Sequence, residues 1–299
     1  MSVLVVGSVA FDTIETASEK RERILGGSAN FACAAASHFS RSLMVGIVGS
    51  DYPEEWLAHL RRHGVDTDGV VRAEGESFFW AGRYSADFSS RETLDTRLGV
   101  FEHFDPTLPA SFRSPRIAFL GNIAPVLQGR VLTMLEPGTL VAMDTMNLWL
   151  DTVPDEVFEL VGKVHILLVN DEEAMQMTGS SHPLAAARRL SDRGPATVVV
   201  KMGAQGALLL HEGRPFICPC YPVENVVDPT GAGDSFAGAF LGSLAVERTI
   251  DQRAVHRALV YGSALASWTV EHFEPGPVLE MERRELLRRF VFVRGLLNY

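Results

Sequence analysis

Six apolar runs rich in β-branched residues recur along the chain: "VLVVGSV", "LMVGIVG", "RIAFLGN", "TLVAMDT", "VHILLVN" and "ATVVVKMG". Stretches of helical character follow them, among them "EEWLAHLRRHG", "VLQGRVLTML", "DEEAMQMTG" and "HPLAAARRLSDRG". Strands that are apolar throughout, rather than alternating, belong to a sheet buried on both faces. The pattern therefore predicts an α/β fold with a doubly wound, mostly parallel sheet. No repeat, low-complexity tract or linker divides the 299 residues, so residues 1–299 read as one domain. Residues 12–25 and 75–104 break the rhythm: they alternate polar with apolar positions and are rich in Thr, Ser and aromatics. Such segments predict a small second sheet, inserted as a lid beyond the strand ends where α/β proteins bind ligands.

Polar residues gather where the apolar runs stop: Asp12, Asn122, Asp144 with Asn147, Asn170 with Glu173, and Asp228 with Asp234. Any one of them alone is explained by helix capping. Together they describe the rim of a cleft.

Composition narrows the partners. Lys plus Arg total 27 against 37 acidic residues, a net charge of −10, and no basic run is long enough to track a nucleic acid backbone. The N-terminal "MSVLVVGSVAFDT" has no basic region before its apolar run and reads as a buried strand, not a signal peptide. No window approaches the roughly 18 uninterrupted apolar residues of a membrane helix, so a cytoplasmic protein is expected. Cys33, Cys218 and Cys220 make neither a disulfide framework nor a zinc site and read as buried or incidental thiols. In "HLRRH", His59 and His63 lie one turn apart, but no glutamate of a metalloprotease helix stands between them. A solvated helix face ending at Gly64 is expected.

The richest stretch is "VVDPTGAGDSFAGAF", residues 226–240. A helix starting near Gly231 or Gly233 points unsatisfied backbone N–H groups and the positive end of its dipole at the loop mouth, which favours an anion. Glycines there let a phosphate approach the backbone. Asp234, at the same mouth, is placed to take a proton from a hydroxyl while the amides stabilise charge on a transferring phosphoryl group. The lysine-bearing G-x-x-x-x-G-K-[ST] loop is absent, and Gly231-Ala232-Gly233 lacks the third glycine of a dinucleotide fingerprint.

"DPTGAGDSFAGAF" resembles the C-terminal signature of the ribokinase-like (PfkB) carbohydrate and nucleoside kinases. "LGGSANFACAAASHF" (25–39) is similar to their N-terminal di-glycine signature, "VNDEEA" (169–174) to their Asn-x-x-Glu element, and "VKMGAQGALL" (200–209) to their nucleotide-side strand turn. The four stand in family order and the likeness spans essentially the whole chain. It implies an ATP-dependent kinase acting on a hydroxyl of a sugar, sugar derivative or nucleoside. Gly231, Ala232 and Gly233 would form the anion hole and Asp234 the base. Asn170 and Glu173 would organise the water shell of a magnesium ion, which gives up its waters reluctantly. Lys201, Gly203 and Gly206 would line the nucleotide side, and Asp228 with Thr230 a monovalent cation such as potassium. Asp12, Gly26, Gly27 and Asn30 would face the acceptor.

Two departures concern the acceptor. The family's substrate asparagine falls on Phe31, one residue past Asn30, and "MDTMNLWL" carries Asp144, Asn147 and Trp149 without the arginine of an Asp-x-Asn-x-Arg element. Phe78, Phe79, Trp80 and Tyr84 in the lid suit either stacking on a base or packing of the lid itself, with alternation sending Phe78 and Trp80 to one face and Phe79 to the other. Lid edges of this family often pair between subunits, so the resemblance implies a homodimer through the lid. The competing reading is a ligand-binding sensor or partner protein that keeps the fold without turnover; a dinucleotide enzyme is disfavoured by the missing glycines.

Overall fold

The computed structural model describes residues 1–297. The strands are β1 (Ser2–Val6), β2 (Ala10–Glu15), β3 (Lys20–Gly26), β4 (Arg41–Val48), β5 (Val65–Arg72), β6 (Phe78–Tyr84) and β7 (Arg91–Arg97). They continue as β8 (Ile117–Leu120), β9 (Leu140–Met143), β10 (Ile166–Asn170), β11 (Thr197–Lys201), β12 (Ala207–His211) and β13 (Arg214–Cys218). The helices are α1 (Ser28–Ser37), α2 (Glu54–Arg62), α3 (Pro125–Met134), α4 (Asn147–Thr152), α5 (Pro154–Val161) and α6 (Asp171–Thr178). After them come α7 (Pro183–Ser191), α8 (Ala232–Ala245), α9 (Gln252–Thr269), α10 (Gly276–Leu279) and α11 (Arg283–Leu296).

A 9-stranded sheet runs β13-β12-β11-β10-β9-β8-β1-β4-β5, parallel from β11 through β5 and antiparallel where β12 joins β11 and β13 joins β12. All six apolar runs of the sequence are strands of it. Period-two alternation explains why they are apolar throughout: in β1, Val3 and Val5 enter the core with α1, α8 and α9, while Leu4 and Val6 enter the core on the opposite face. Strand order reverses at β1, with β4 on one side and β8 on the other, and a crevice outside the carboxyl ends at such a switch point is where ligands bind.

The lid is a 4-stranded sheet ordered β3-β2-β6-β7. Its strands lie within the two segments that break the helix-strand rhythm, except that β2 begins two residues earlier and β3 ends one later, and Gly99–His103 forms a 3-10 turn. Asp12 is in register with Trp80, and Tyr84 with Arg91.

Helix α8 is seated on α1 by missing side chains. A Cβ on Gly238 would lie 2.1 Å from the Ala32 carbonyl oxygen, and one on Gly242 would lie 2.9 Å from the Ala36 Cα. Small residues on both helices let the backbones touch, and interior packing leaves no slack to absorb an added methyl. Gly238→Ala should therefore lower stability in urea by about 1–3 kcal/mol. Gly295→Ala, on α11 where nothing lies within 4 Å of the new methyl, should be neutral or stabilising by up to about 1 kcal/mol. Equal midpoints for the two variants would show that α8 does not depend on this seat.

Candidate active site

Strand ends and one helix start supply the site. The stop of β10 begins α6 with a capping box: Asn170 Oδ1 accepts from Glu173 N at 2.7 Å and Glu173 Oε2 from Asn170 N at 2.9 Å. This explains the Asn-x-x-Glu spacing physically, because each side chain satisfies a backbone donor the other residue leaves open. Burial, then the Asp144 charge, pushes the Glu173 carboxyl up to about 7, opposed by Lys201.

The loop before α8 takes its turn at Gly231, whose φ of 76° suits glycine and whose Cβ would meet the Phe31 ring at 2.4 Å. Phe31, 2% exposed, thus props the anion loop from behind. Ala232, Gly233 and Asp234 form the first turn of α8; the Ala232 N–H donates to the Pro229 carbonyl at 3.2 Å and the Asp234 carboxyl accepts from its own N–H, while the start of the helix still presents the positive end of its dipole to the loop. Asp234 is half-buried, and burial, then Asp144, raises its carboxyl to about 7, with Lys201 pulling the other way. A carboxylate with that proton affinity is suited to general base work near neutrality.

Lys201 closes β11 and reaches Asp144, at the end of β9, with Nζ 2.8 Å from Oδ2. Asp144 is held in turn by its own N–H to the Leu120 carbonyl, while the Gln128 amide donates to the Leu120, Gly121 and Asp144 carbonyls. Gly203 and Gly206 shape the β11–β12 turn. Gly206 has φ 94°, and a Cβ there would lie 2.1 Å from the Cys218 carbonyl oxygen.

On the opposite side, the Asp12 carboxyl fills the space a Gly26 side chain would need, 2.0 Å from its Cβ position, and accepts from the Gly27 N–H. Gly27 itself, at φ 91°, abuts the Ser8 carbonyl. Burial and the Asp228 and Asp234 charges lift Asp12 to about 8, moderated by Gly27 and by Arg91. Asn30 is fully buried and its amide already has partners: it donates to the Gly26 carbonyl and to the Tyr52 hydroxyl, and accepts from Trp56 Nε1. The side chain braces the di-glycine turn. Asp228, 1% exposed, accepts from Thr230 N at 2.9 Å, and the Thr230 hydroxyl meets Tyr84 Oη at 3.0 Å.

The lid aromatics divide as alternation requires. Phe78 stacks on Phe101 at 5.3 Å, Phe79 lies under the Arg97 guanidinium, and Trp80 lies over Gly82 with Nε1–H donated to Thr93 Oγ1. Tyr84 turns to the core, and Arg91 beside it acts on Asp12 and Glu173. Arg91 has no signal in the sequence, where it is one charge among several in "RETLDTR". Asp144 has a weak one, as an acid closing an apolar run.

A family model described as pfkB family carbohydrate kinase matches residues 1–82 and 138–281, and the chain belongs to that family, whose members transfer a phosphoryl group to an alcohol. Cytidine kinase of Thermococcus kodakarensis is 29% identical over 259 residues, 84% of this chain and 91% of that one. A Burkholderia thailandensis nucleoside kinase solved with inosine aligns with TM-score 0.81 at 21% identity, covering 98% of each chain. An E. coli protein described as ribokinase II, solved with ATP and Mg2+, aligns with TM-score 0.75 at 20% identity, covering 98% of this chain and 99% of its own. The segment 83–137 that the family model leaves out holds Tyr84 and Arg91 of the lid.

Asp12, Glu173 and Asp234 all hold protons more tightly folded than unfolded. Their contribution to stability is complete below the ordinary carboxylate range and is lost as pH rises through the raised values. The melting temperature of the ligand-free protein should accordingly fall between about pH 4 and pH 8, and Asp12→Asn should flatten that slope. A melting temperature that climbs across the window would contradict the assigned environments.

Proposed function

We propose that this kinase phosphorylates a hydroxyl group of a small sugar, sugar derivative or nucleoside with ATP as donor, and that Asp234 is the base. The observation that carries the reading is the placement of a carboxyl, raised to about 7, in the first turn of α8 beside the N–H groups of Gly231 to Gly233. The acceptor oxygen gives its proton to Asp234 as it attacks the γ-phosphorus in line. Amides of the loop meet the charge on the migrating group. Asp12, on the lid face that overhangs the cleft, takes hydrogen bonds from acceptor hydroxyls, and Gly203 and Gly206 keep the β11–β12 turn low on the nucleotide side.

Asn170 and Glu173 fit a magnesium ion held through water. Among the described residues no group of three or more His, Cys, Asp or Glu side chains is arranged to hold a metal directly, whereas a buried Glu173 beside Asn170 suits the hydrated shell that magnesium keeps. When bound with the nucleotide, the ion supplies positive charge to the phosphate oxygens. Asp228 and Thr230, already bonded to each other ahead of α8, are the residues we assign to a potassium ion that would support the loop. Turnover in potassium compared with sodium and choline reads this role directly, and equal rates in all three would remove it.

Asp234→Asn should lower kcat by on the order of 100-fold or more while ATP binding, followed by calorimetry, survives. Near-normal turnover in that variant, on a panel of sugars and nucleosides with ATP and magnesium, would strip Asp234 of its role.

A further inference from the structure

The Asp144–Lys201 pair joins two largely buried charges, with side-chain exposures of 8% and 16%. Enclosing such a pair costs several kcal/mol per ion, only partly returned by attraction. Its position says what the pair is for. A Cβ on Gly233 would lie 3.1 Å from the Lys201 ammonium, so the ammonium lies directly over the first turn of α8. Asp144 takes one of its three N–H donors, and among the described residues no other acceptor lies within hydrogen-bond distance.

Charge balance points the same way. Asp144 repels Glu173 and Asp234, while Asp228 and Asp234 repel Asp12; the side chains acting against this charge are Lys201 from the core, on Glu173 and Asp234, and Arg91 from the lid, on Asp12 and Glu173. A phosphoryl group entering such a cleft needs a cation near the amides, whose partial charges alone do not offset five carboxyls. An ammonium is a compact point charge with rotatable donors, suited to oxygens that move during transfer.

We propose that Lys201 is a catalytic residue of phosphoryl transfer and Asp144 its positioning residue. This rests on the kinase reading given above. In the step, the acceptor oxygen bonds to the γ-phosphorus as the bond from that phosphorus to the bridging oxygen breaks, ADP departs with the electron pair, and the acceptor proton passes to Asp234. Lys201 donates hydrogen bonds to the non-bridging oxygens over Gly233 and neither gains nor loses a proton. Asp144 keeps the ammonium charged and aimed before the donor arrives, which saves it from folding back onto Asp234.

The alternative is a bridge that serves folding only, and two variants separate the two. Lys201→Met leaves the buried Asp144 charge without its cation, with only the Thr145 N–H donating to Oδ1, and should lower the melting temperature. Combining it with Asp144→Asn removes both charges and should restore most of that loss. If Lys201 acts on the phosphoryl group, kcat stays down by on the order of 100-fold in both variants, while calorimetric affinity for ATP with magnesium changes far less. Lys201→Arg should recover part of the rate, and Asp144→Asn alone should lower kcat with little change in ATP affinity. A double variant that regains both melting temperature and kcat would overturn the proposal and leave the kinase reading intact. Absence of ATP-dependent transfer by the unaltered protein, on any acceptor of the panel, would sink the kinase reading and this inference with it.

Discussion

The close contact between α1 and α8 fixes the geometry on which the rest depends. With Gly238 and Gly242 against Ala32 and Ala36, the helix axes approach as near as backbones allow. Phe31, on the same helix as Ala32, then fills the space behind Gly231. The start of α8 is therefore positioned from two directions by one ten-residue helix. The anion site proposed there, made of backbone N–H groups, would have no side chain to adjust, so its accuracy would be the accuracy of that packing. The di-glycine at the head of α1 belongs to the same assembly: Gly26 makes room for the Asp12 carboxyl and Gly27 takes the positive φ that starts the helix.

Around this scaffold the cleft is deliberately short of cations. Burial raises Asp12, Glu173 and Asp234 above their ordinary ranges, and repulsion adds to it, from Asp144 on Glu173 and Asp234 and from Asp228 and Asp234 on Asp12. The ligand-free site is consequently a strained electrostatic state that a cationic cofactor or a lid arginine relieves. Strain of this kind clusters at functional sites, where groups are held in proton states they would not choose in water.

Much of this was legible in residue order. Apolar runs identified the parallel strands because both faces of that sheet are buried, and "DPTGAGD" announced a helix start with an acid in it. Strand β5 was not legible: "VDTDGVVR" is an edge strand, exposed along part of its length, and its polar positions dilute the apolar signal. Strands β12 and β13 turn back on β11 and follow no helix, which removes the rhythm that marks the others. In the site, Asp234, Asn170 and Glu173 could be named from local spacing because each acts within one turn of its own helix. Asn30 is placed at the acceptor by the resemblance of the di-glycine stretch, which carries no information on its long-range partners, Tyr52 and Trp56, that engage its amide. The Asp144–Lys201 bridge spans 57 positions of sequence, and Arg91 reaches the cleft only because a second sheet folds over the first. Contacts of that range have no local periodicity to betray them.

The Tyr84 hydroxyl joins the lid to Thr230, whose backbone N–H is bonded to Asp228 in the loop that leads into α8. Roof and cradle are thus consecutive links of a single polar chain. Any tilt of the small sheet would break the bond between Tyr84 and Thr230 or carry Thr230 with it, so the position of the roof and the shape of the loop entering α8 are not independent.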